Sequence, residues 1–221
     1  IYTVQKFHVP TKKALGFAKK LSHISGKKLN WYPEALRISV QALLAANQPV
    51  SIEQLSMTYP RYYKTFVSEY ALKHKIPEYY LYALIRSESF FDAGITSHAN
   101  AIGLTQLIDT TAADMARKLK LKDYDITNPH DNIQIGSYYL QELYGRLDNS
   151  YIQAFFSYNG GITRVRRWKK QWENLPNDLF LEVLPYAETR EYGRKIASAA
   201  AMYGVLYYDK STSEILNEFF K

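Results

Sequence analysis

The chain has 221 residues, 47% of them hydrophobic, and carries a formal net charge of +7 with a sequence pI near 9.3. This length can bury a substantial core, as one large domain or as one domain with an extension. The absence of cysteine excludes disulfide bonds and thiolate metal sites, and the absence of an 18-residue apolar run excludes a membrane-spanning helix. A basic surface suits acidic polymers, but without a zinc-finger pattern, an RNP-like motif or a long Lys/Arg run we expect no nucleic-acid binding.

Residues 1–58 predict a helical N-terminal region that begins with an extended segment at 1–10. The predicted helices are 11–25, 32–46 and a short helix after Ser51. Ser51 with Gln54 three residues later forms a capping-box pattern. The first helix is basic and amphipathic, and we expect its apolar stripe to pack on a neighbour, so that contact with a membrane is peripheral at most.

Residues 59–221 predict a second and larger helical domain, with the boundary at Tyr59-Pro60. The predicted helices are 61–74, 77–90, 108–119, 129–147, 151–158, 163–172, 178–184 and 186–208. Residues 92–106 lack a strong period and carry turn residues, which predicts turns or short strands. The helix 163–172 is basic, and we interpret its charged face as solvated. The fold class is therefore mainly α.

Glu88 is the candidate catalytic residue. Leu81, Leu84, Ile85 and Glu88 recur at helical spacing on one face, where a core helix would place a fourth aliphatic residue. Burial raises the pKa of a carboxyl, and the negative end of the helix dipole also disfavours an anion near the helix end before Gly94. Both effects favour a proton donor, which cleavage of a glycosidic bond requires. The alternative from spacing alone is a carboxylate that is solvated or ion-paired.

Several short blocks follow Glu88 in order along the chain. They are Glu88-Ser89, Ser97, Gly103-Leu104-Thr105-Gln106, Thr111-Ala112, Tyr158-Asn159-Gly160-Gly161 and Pro185–Tyr192. Together, over roughly residues 59–210, they resemble the soluble (SLT-type) lytic transglycosylases, which are relatives of goose-type lysozyme. The resemblance implies an α+β, lysozyme-like catalytic domain at 59–221, with a small β-like region beside the cleft and a helical N-terminal extension.

The resemblance also implies a reaction, which is cleavage of the β-1,4 bond between N-acetylmuramic acid and N-acetylglucosamine with formation of a 1,6-anhydro ring. In this family one glutamate acts as acid and then as base, with help from the N-acetyl group of the sugar. Glu88 matches that glutamate. The positions expected to bind substrate are Ser97, Gln106, Tyr158, Asn159 and Glu188. Tyr158 is expected to place its phenol near Glu88, Arg190 and Tyr192 are expected to be structural, and no metal or cofactor is expected.

The chain departs from the family pattern at four positions. Thr105 replaces a Met that packs on a sugar face, Asn100 replaces a Gly, Asp109 falls where Pro is usual, and Gly193 replaces a Val. Asn tolerates left-handed backbone geometry better than most residues. We expect these departures to change subsite contacts and substrate preference, with the reaction type unchanged.

Three alternative functions stay open. The chain could be a goose-type lysozyme that hydrolyses the same bond, a non-catalytic cell-wall-binding domain, or a binder of nucleic acid or membrane surfaces driven by charge. A hydrolase normally needs a second carboxylate to activate water. The candidates Asp92, Asp109, Asp114 and Asp125 have no clear claim to that role.

The expected location is the bacterial periplasm or cell envelope. The chain begins at Ile1 without Met or an apolar signal segment, which predicts a mature chain or a fragment without its signal peptide. Residues 1–58 are then the end of a longer helical part upstream. The expected partners are peptidoglycan glycan strands, with cell-wall synthesis or division proteins as further candidates.

Overall fold

A computed structural model describes residues 11–25, 31–45, 49–173 and 175–221. The chain divides into two compact units, one that ends at Tyr62 and one that begins at Tyr63. The predicted boundary at Tyr59-Pro60 lies just before this division and stays a prediction, as does the helical part upstream. The extended segment predicted for residues 1–10 lies outside the described residues.

The first unit contains three helices in its described part, α1 (Thr11–Ser25), α2 (Tyr32–Leu44) and α3 (Ile52–Thr58), which pack on one another. The capping box predicted after residue 50 is confirmed. The Ser51 hydroxyl accepts a hydrogen bond from the Gln54 amide, and the Gln54 side chain accepts one from the Ser51 amide. In α1, Leu15 is buried as expected, whereas Phe17 is 56% exposed.

The second unit contains nine helices in its described part, so the predicted mainly α class is confirmed. They are α4 (Lys64–His74), α5 (Glu78–Ser89), α6 (Asp109–Leu119), α7 (Pro129–Arg146), α8 (Tyr151–Gly160), α9 (Ile162–Gln171), α10 (Asn177–Val183), α11 (Ala187–Tyr207) and α12 (Thr212–Phe219). Asn128 caps α7 through its side-chain oxygen, and Pro129 follows at the first helical position, as predicted. None of the helices among the described residues is both long enough and apolar enough to cross a bilayer.

Helix α5 is buried on all sides, whereas its sequence predicted a single apolar face. Every residue from Tyr79 to Ile85 is at most 4% exposed, and α5 packs against α4 and α11. Tyrosine rings can be buried in this way when the hydroxyl finds a partner. The Tyr79 phenol, for example, donates to Glu218 at 2.6 Å. Glu88 thus lies near the end of a central helix of the core.

The last helix, α12, was missing from the sequence prediction. It begins with a second capping box, in which the Ser211 hydroxyl accepts from the Glu214 amide and the Glu214 carboxylate accepts from the Ser211 amide. The Ser-x-x-Glu pattern was a local signal for this helix. Ile215 and Phe219 are fully buried, and α12 packs on α8 and α11.

Residues 92–106 form the short β-like region that the sequence predicted. Antiparallel bridges join Thr96 to Ile102 and Ile102 to Leu107. Asn100 has a φ of 59°, so it adopts the left-handed geometry expected of an Asn at that position. This region forms a wall of the cleft described next.

Candidate active site

A cleft of about 740 Å³ opens in the second unit. Its lining comes from the end of α5, the loop before α6, Tyr139 of α7, the junction of α8 with α9, and the first turn of α11. The structure brings together on this lining all of the residues that the sequence singled out for the site. These are Glu88, Ser97, Gln106, Tyr158, Asn159 and Glu188.

Glu88 lies in the last turn of α5 and is half-buried. Burial is the main influence on its carboxyl and raises the pKa from an ordinary value of 4.5 to about 7, while a hydrogen bond from Tyr192 lowers the pKa. The direction agrees with the expectation from the apolar neighbours in α5. A carboxyl with a pKa near 7 can give a proton and take one back at neutral pH.

Tyr192 contacts the candidate acid directly. Its phenol donates a hydrogen bond to Oε1 of Glu88 at 2.6 Å, and the residue is 7% exposed on α11. The sequence analysis, which expected Tyr192 to be structural, did not predict this contact with Glu88. When the carboxyl is protonated, its carbonyl oxygen is the better acceptor, so a bond from Tyr192 to Oε1 favours the proton on Oε2.

Tyr158 places its phenol near Glu88, as predicted, but donates its hydrogen bond elsewhere. The hydroxyl donates to the backbone carbonyl of Thr105 at 2.9 Å. Burial is the first cause that raises the pKa of Tyr158 well above 10, and the charge of Glu88 is the second, so the phenol remains protonated. The ring of Tyr139 lies 4.9 Å from that of Tyr158, and both line the cleft. Such rings offer flat apolar faces to a sugar.

Ser97 and Gln106 line the cleft, and their hydrogen bonds stabilise the loop to which they belong. The Ser97 hydroxyl oxygen accepts from the amide of Ala101 at 3.1 Å, and the Gln106 amide donates to the carbonyl of Gly103 at 2.9 Å. Gln106 itself has a φ of 48°, in the left-handed region. These bonds leave the O–H of Ser97 and the side-chain carbonyl of Gln106 as the groups that can bind a ligand.

Among the described residues, the carboxylates that line the cleft are Glu88 and Glu188, and the latter is exposed in the first turn of α11. Next to it, the hydroxyl of Thr189 donates to Asn159 at 3.1 Å and joins α11 to the end of α8. The aspartates that were considered as a second carboxylate lie outside the lining. Asp92, for example, accepts a hydrogen bond from the amide of Gly94 in its own turn.

None of the four departures from the family pattern is among the described residues that line the cleft, so their effect on substrate preference stays a prediction. Thr105 is fully buried, with its hydroxyl donating to Asn132 at 2.7 Å. A Cβ on Gly193 would lie 2.5 Å from the Phe156 ring, so Gly193 allows α11 to approach α8. Asn100 adopts the left-handed geometry of a turn, and Asp109 begins α6, where a negative charge is favourable.

Arg164 is a second residue whose part in the cleft the sequence analysis missed. The charged face of α9 was interpreted as solvated, yet Arg164 lines the cleft together with Ile162 and Thr163. The only sequence signal for this position was its nearness to the Asn159-Gly160-Gly161 block, since α9 starts where that block ends.

Residues 65–181, which are more than half of the chain, match the family model described as the transglycosylase SLT domain. The chain therefore belongs to the transglycosylase SLT domain family. The soluble lytic murein transglycosylase of Escherichia coli (strain K12) is 30% identical over 180 residues, which cover 79% of this chain and 27% of that protein.

Two solved structures share the fold. An inactive mutant of the lytic transglycosylase Slt from Pseudomonas aeruginosa matches with a TM-score of 0.76 at 25% identity, over 90% of this chain and 31% of that chain. The 70 kDa soluble lytic transglycosylase from Escherichia coli matches with a TM-score of 0.75 at 24% identity, over 93% of this chain and 31% of that chain. The present chain thus spans about a third or less of the length of these relatives.

Proposed function

We propose that this chain is a peptidoglycan lytic transglycosylase that cleaves the β-1,4 bond between N-acetylmuramic acid and N-acetylglucosamine. The observation that carries the proposal is a partly buried carboxyl, Glu88, with a pKa of about 7 on the lining of a 740 Å³ cleft. Family membership supports the same activity. In the Pseudomonas aeruginosa relative, moreover, a glutamate-to-glutamine exchange gives an inactive mutant.

In the proposed first step, Oε2 of Glu88 donates its proton to the glycosidic oxygen. The bond from that oxygen to C1 of muramic acid breaks, and the N-acetylglucosamine side leaves with a free hydroxyl. The carbonyl oxygen of the muramic N-acetyl group bonds to C1 and stabilises the positive charge there. Tyr192 keeps its hydrogen bond to Oε1 and thereby orients the carboxyl.

In the second step, the carboxylate of Glu88 takes the proton from the C6 hydroxyl of the same muramic residue. The C6 oxygen bonds to C1 as the bond to the N-acetyl oxygen breaks, which closes the 1,6-anhydro ring. Glu88 is again protonated, and no water is consumed. We assign Ser97, Gln106, Tyr158, Asn159 and Glu188 to binding of the glycan, because all of them share the cleft lining with Glu88.

Hydrolysis of the same bond is a second candidate, because Glu188 supplies a second carboxylate on the cleft lining. In this alternative Glu188 would activate a water molecule, as the second carboxylate of a typical glycosidase does. The product would then end in an ordinary reducing sugar.

Mass spectrometry of fragments released from purified peptidoglycan separates these candidates. We expect anhydro-ended fragments from the unaltered chain, and a loss of at least about 10²-fold in rate for Glu88→Gln, because general acid catalysis typically contributes that much. Glu191→Gln is the matched control, since Glu191 lies outside the cleft lining in a surface ion pair with Arg194.

Each other outcome has a defined meaning. Near-normal turnover of Glu88→Gln would show that Glu88 is not the general acid. Fragments that are one water heavier, and that disappear in Glu188→Gln, would establish hydrolysis instead. No release at all would favour a cell-wall-binding domain.

We further propose that the chain acts in the bacterial cell envelope, where its substrate lies, and that any additional partners belong to the cell-wall synthesis or division machinery. The net charge of +7 supports attraction to a wall polymer that carries carboxylates.

A further inference from the structure

Arg164 lies over the face of an aromatic ring at the edge of the cleft. It lies four residues before Trp168 on α9, so the two side chains share a helix face. The guanidinium carbon of Arg164 lies 5.3 Å from the centre of the Tyr186 ring, and the Trp168 ring lies 5.5 Å from that same ring. Trp168 is 5% exposed, whereas Tyr186 is 49% exposed. A buried Trp therefore supports an exposed Tyr, and the Tyr supports the guanidinium.

Arg164 is also the only cationic side chain on the cleft lining as far as the structure describes the chain. Within those same residues it forms no ion pair, neither with Glu188 on the same lining nor with another carboxylate. Arg166 and Arg167 on the same helix also lack an ion pair among the described residues, so Arg164 differs from them by its place on the cleft lining. A guanidinium over a ring face keeps its N–H groups in its own plane, where two of them can bind a carboxylate through parallel hydrogen bonds.

The chemistry of a glycan strand limits what Arg164 can bind. N-acetylglucosamine units carry no charge, and the carboxylates of peptidoglycan sit on the substituents of muramic acid. A cation on the cleft lining therefore has no ionic partner in an unsubstituted strand. We propose that Arg164, held on Tyr186, is a subsite for a carboxylate borne by a muramic acid unit of the bound strand. This inference rests on the proposed function and names the part of the substrate that this side of the cleft recognises.

Two sources could supply that carboxylate, the lactyl group itself or the peptide stem attached to it. Three soluble strands distinguish them. The first keeps its stems, the second has been stripped by an amidase so that the lactyl carboxylate is free, and the third is the stripped strand with its carboxylates converted to amides. Initial rates of fragment release over a range of strand concentrations give kcat and KM for the full chain and its variants.

For the unaltered chain we expect KM to be about tenfold higher on the amidated strand than on the strand that carries the recognised carboxylate, because a charge-assisted hydrogen bond is lost in binding but not in the bond-breaking step. Arg164→Gln should show the high KM on all three strands, with kcat changed less than about twofold. The KM of Arg164→Lys should lie between those of the unaltered chain and Arg164→Gln, since lysine keeps the charge but cannot donate two parallel hydrogen bonds to one carboxylate. Arg167→Gln removes the same charge from the exposed side of α9, outside the cleft lining, and should behave like the unaltered chain.

In the first strand the lactyl carboxyl is part of the amide bond to the stem, so it is free only in the second strand. A KM that rises from the first strand to the second would identify the stem as the source. A KM that falls from the first strand to the second and rises again on the third would identify the lactyl group. The subsite is overturned if the KM of Arg164→Gln still depends on strand charge as strongly as that of the unaltered chain. It is also overturned if the substitution raises KM by the same factor on the amidated strand as on the charged strands. If the unaltered chain cleaves no strand, the proposed function fails, and fluorescence anisotropy with labelled strands then decides the subsite alone. In that case, charge-dependent loss of affinity in Arg164→Gln supports the subsite, and unchanged affinity refutes it.

Discussion

The carboxyl of Glu88 is subject to two opposing influences. Burial raises its pKa to about 7, and the hydrogen bond from the Tyr192 phenol lowers it by stabilising the ionised form. The protonated carboxyl is the proposed general acid. Activity should therefore be full below the pKa of Glu88 and be lost as the pH rises through that value.

Tyr192→Phe tests this balance. Without the phenol the ionised carboxylate loses a donor, so the pKa of Glu88 should rise and the alkaline limb of kcat/KM should move upward by about one to two pH units. The size follows from a hydrogen bond to a charged group, worth about 1.5–3 kcal/mol, and from about 1.4 kcal/mol for each pH unit. Rates of muropeptide release between about pH 5 and pH 9 would measure the limb.

Tyr139→Phe is the control for this measurement. Tyr139 lines the same cleft and packs on the Tyr158 ring, but Glu88 is not among the groups that shift its pKa. Its removal should leave the limb in place. A limb that is unmoved or lower in Tyr192→Phe would show that the phenol does not stabilise the ionised acid.

Helix α7 fixes the loop that lines the cleft through one side chain. The carbonyl oxygen of Asn132 accepts from the amide and the hydroxyl of Thr105, and its amide donates to the carbonyls of Ile102 and Ile126. All four bonds of this amide are thereby used. Thr105 in turn presents its carbonyl to the Tyr158 phenol, so the packing of α7 reaches the cleft.

Gly136 makes this close approach feasible, and Gly136→Ala should be destabilising. A Cβ at Gly136 would lie 2.6 Å from the Cβ of Thr105 and closer still to its hydroxyl oxygen. We expect a loss of about 1–3 kcal/mol in the free energy of unfolding, as for other overpacked core positions. Urea unfolding followed by circular dichroism gives the value.

Gly145→Ala in the same helix is the matched control. A Cβ at Gly145 would meet nothing within 4 Å, so the better helix propensity of Ala should stabilise the protein by up to about 1 kcal/mol. Equal effects of the two substitutions would mean that the contact between Gly136 and Thr105 does not limit the packing.

The whole chain separates into two compact units, and all residues of the candidate active site belong to the unit that begins at Tyr63. We therefore expect a fragment of residues 59–221, which starts at the predicted boundary, to fold cooperatively and to release anhydro-ended fragments. Near-UV circular dichroism and the mass spectrometric assay test the two expectations. The same fragment with Glu88→Gln is its control.

A fragment that folds but releases nothing would show that the first unit contributes to activity. A fragment that does not fold would place the domain boundary elsewhere. Only the second result would correct the predicted division at residue 59.

The sequence alone predicted those features of the protein that depend on residues close together along the chain. The cap at Asn128 and the capping box at Ser51 depend on side chains two or three residues apart, so their helices began where the patterns predicted. The same holds for Glu88, whose apolar neighbours in α5 predicted the raised pKa. The order of the short blocks around it predicted the family that the comparisons then established.

The tertiary structure decided contacts between distant residues that neither local spacing nor the family resemblance predicted. Tyr192 reaches Glu88 across 104 positions of the chain, and Gly193 is required because the Phe156 ring of another helix lies against it. Arg164 lines the cleft because of the way α9 packs beside Tyr186. Periodicity shows which face of a helix is apolar but not which helix covers it. The contacts that shift the pKa of the acid and line the cleft therefore follow from packing between helices, because spacing along the chain determines neighbours within a helix but not which helices meet.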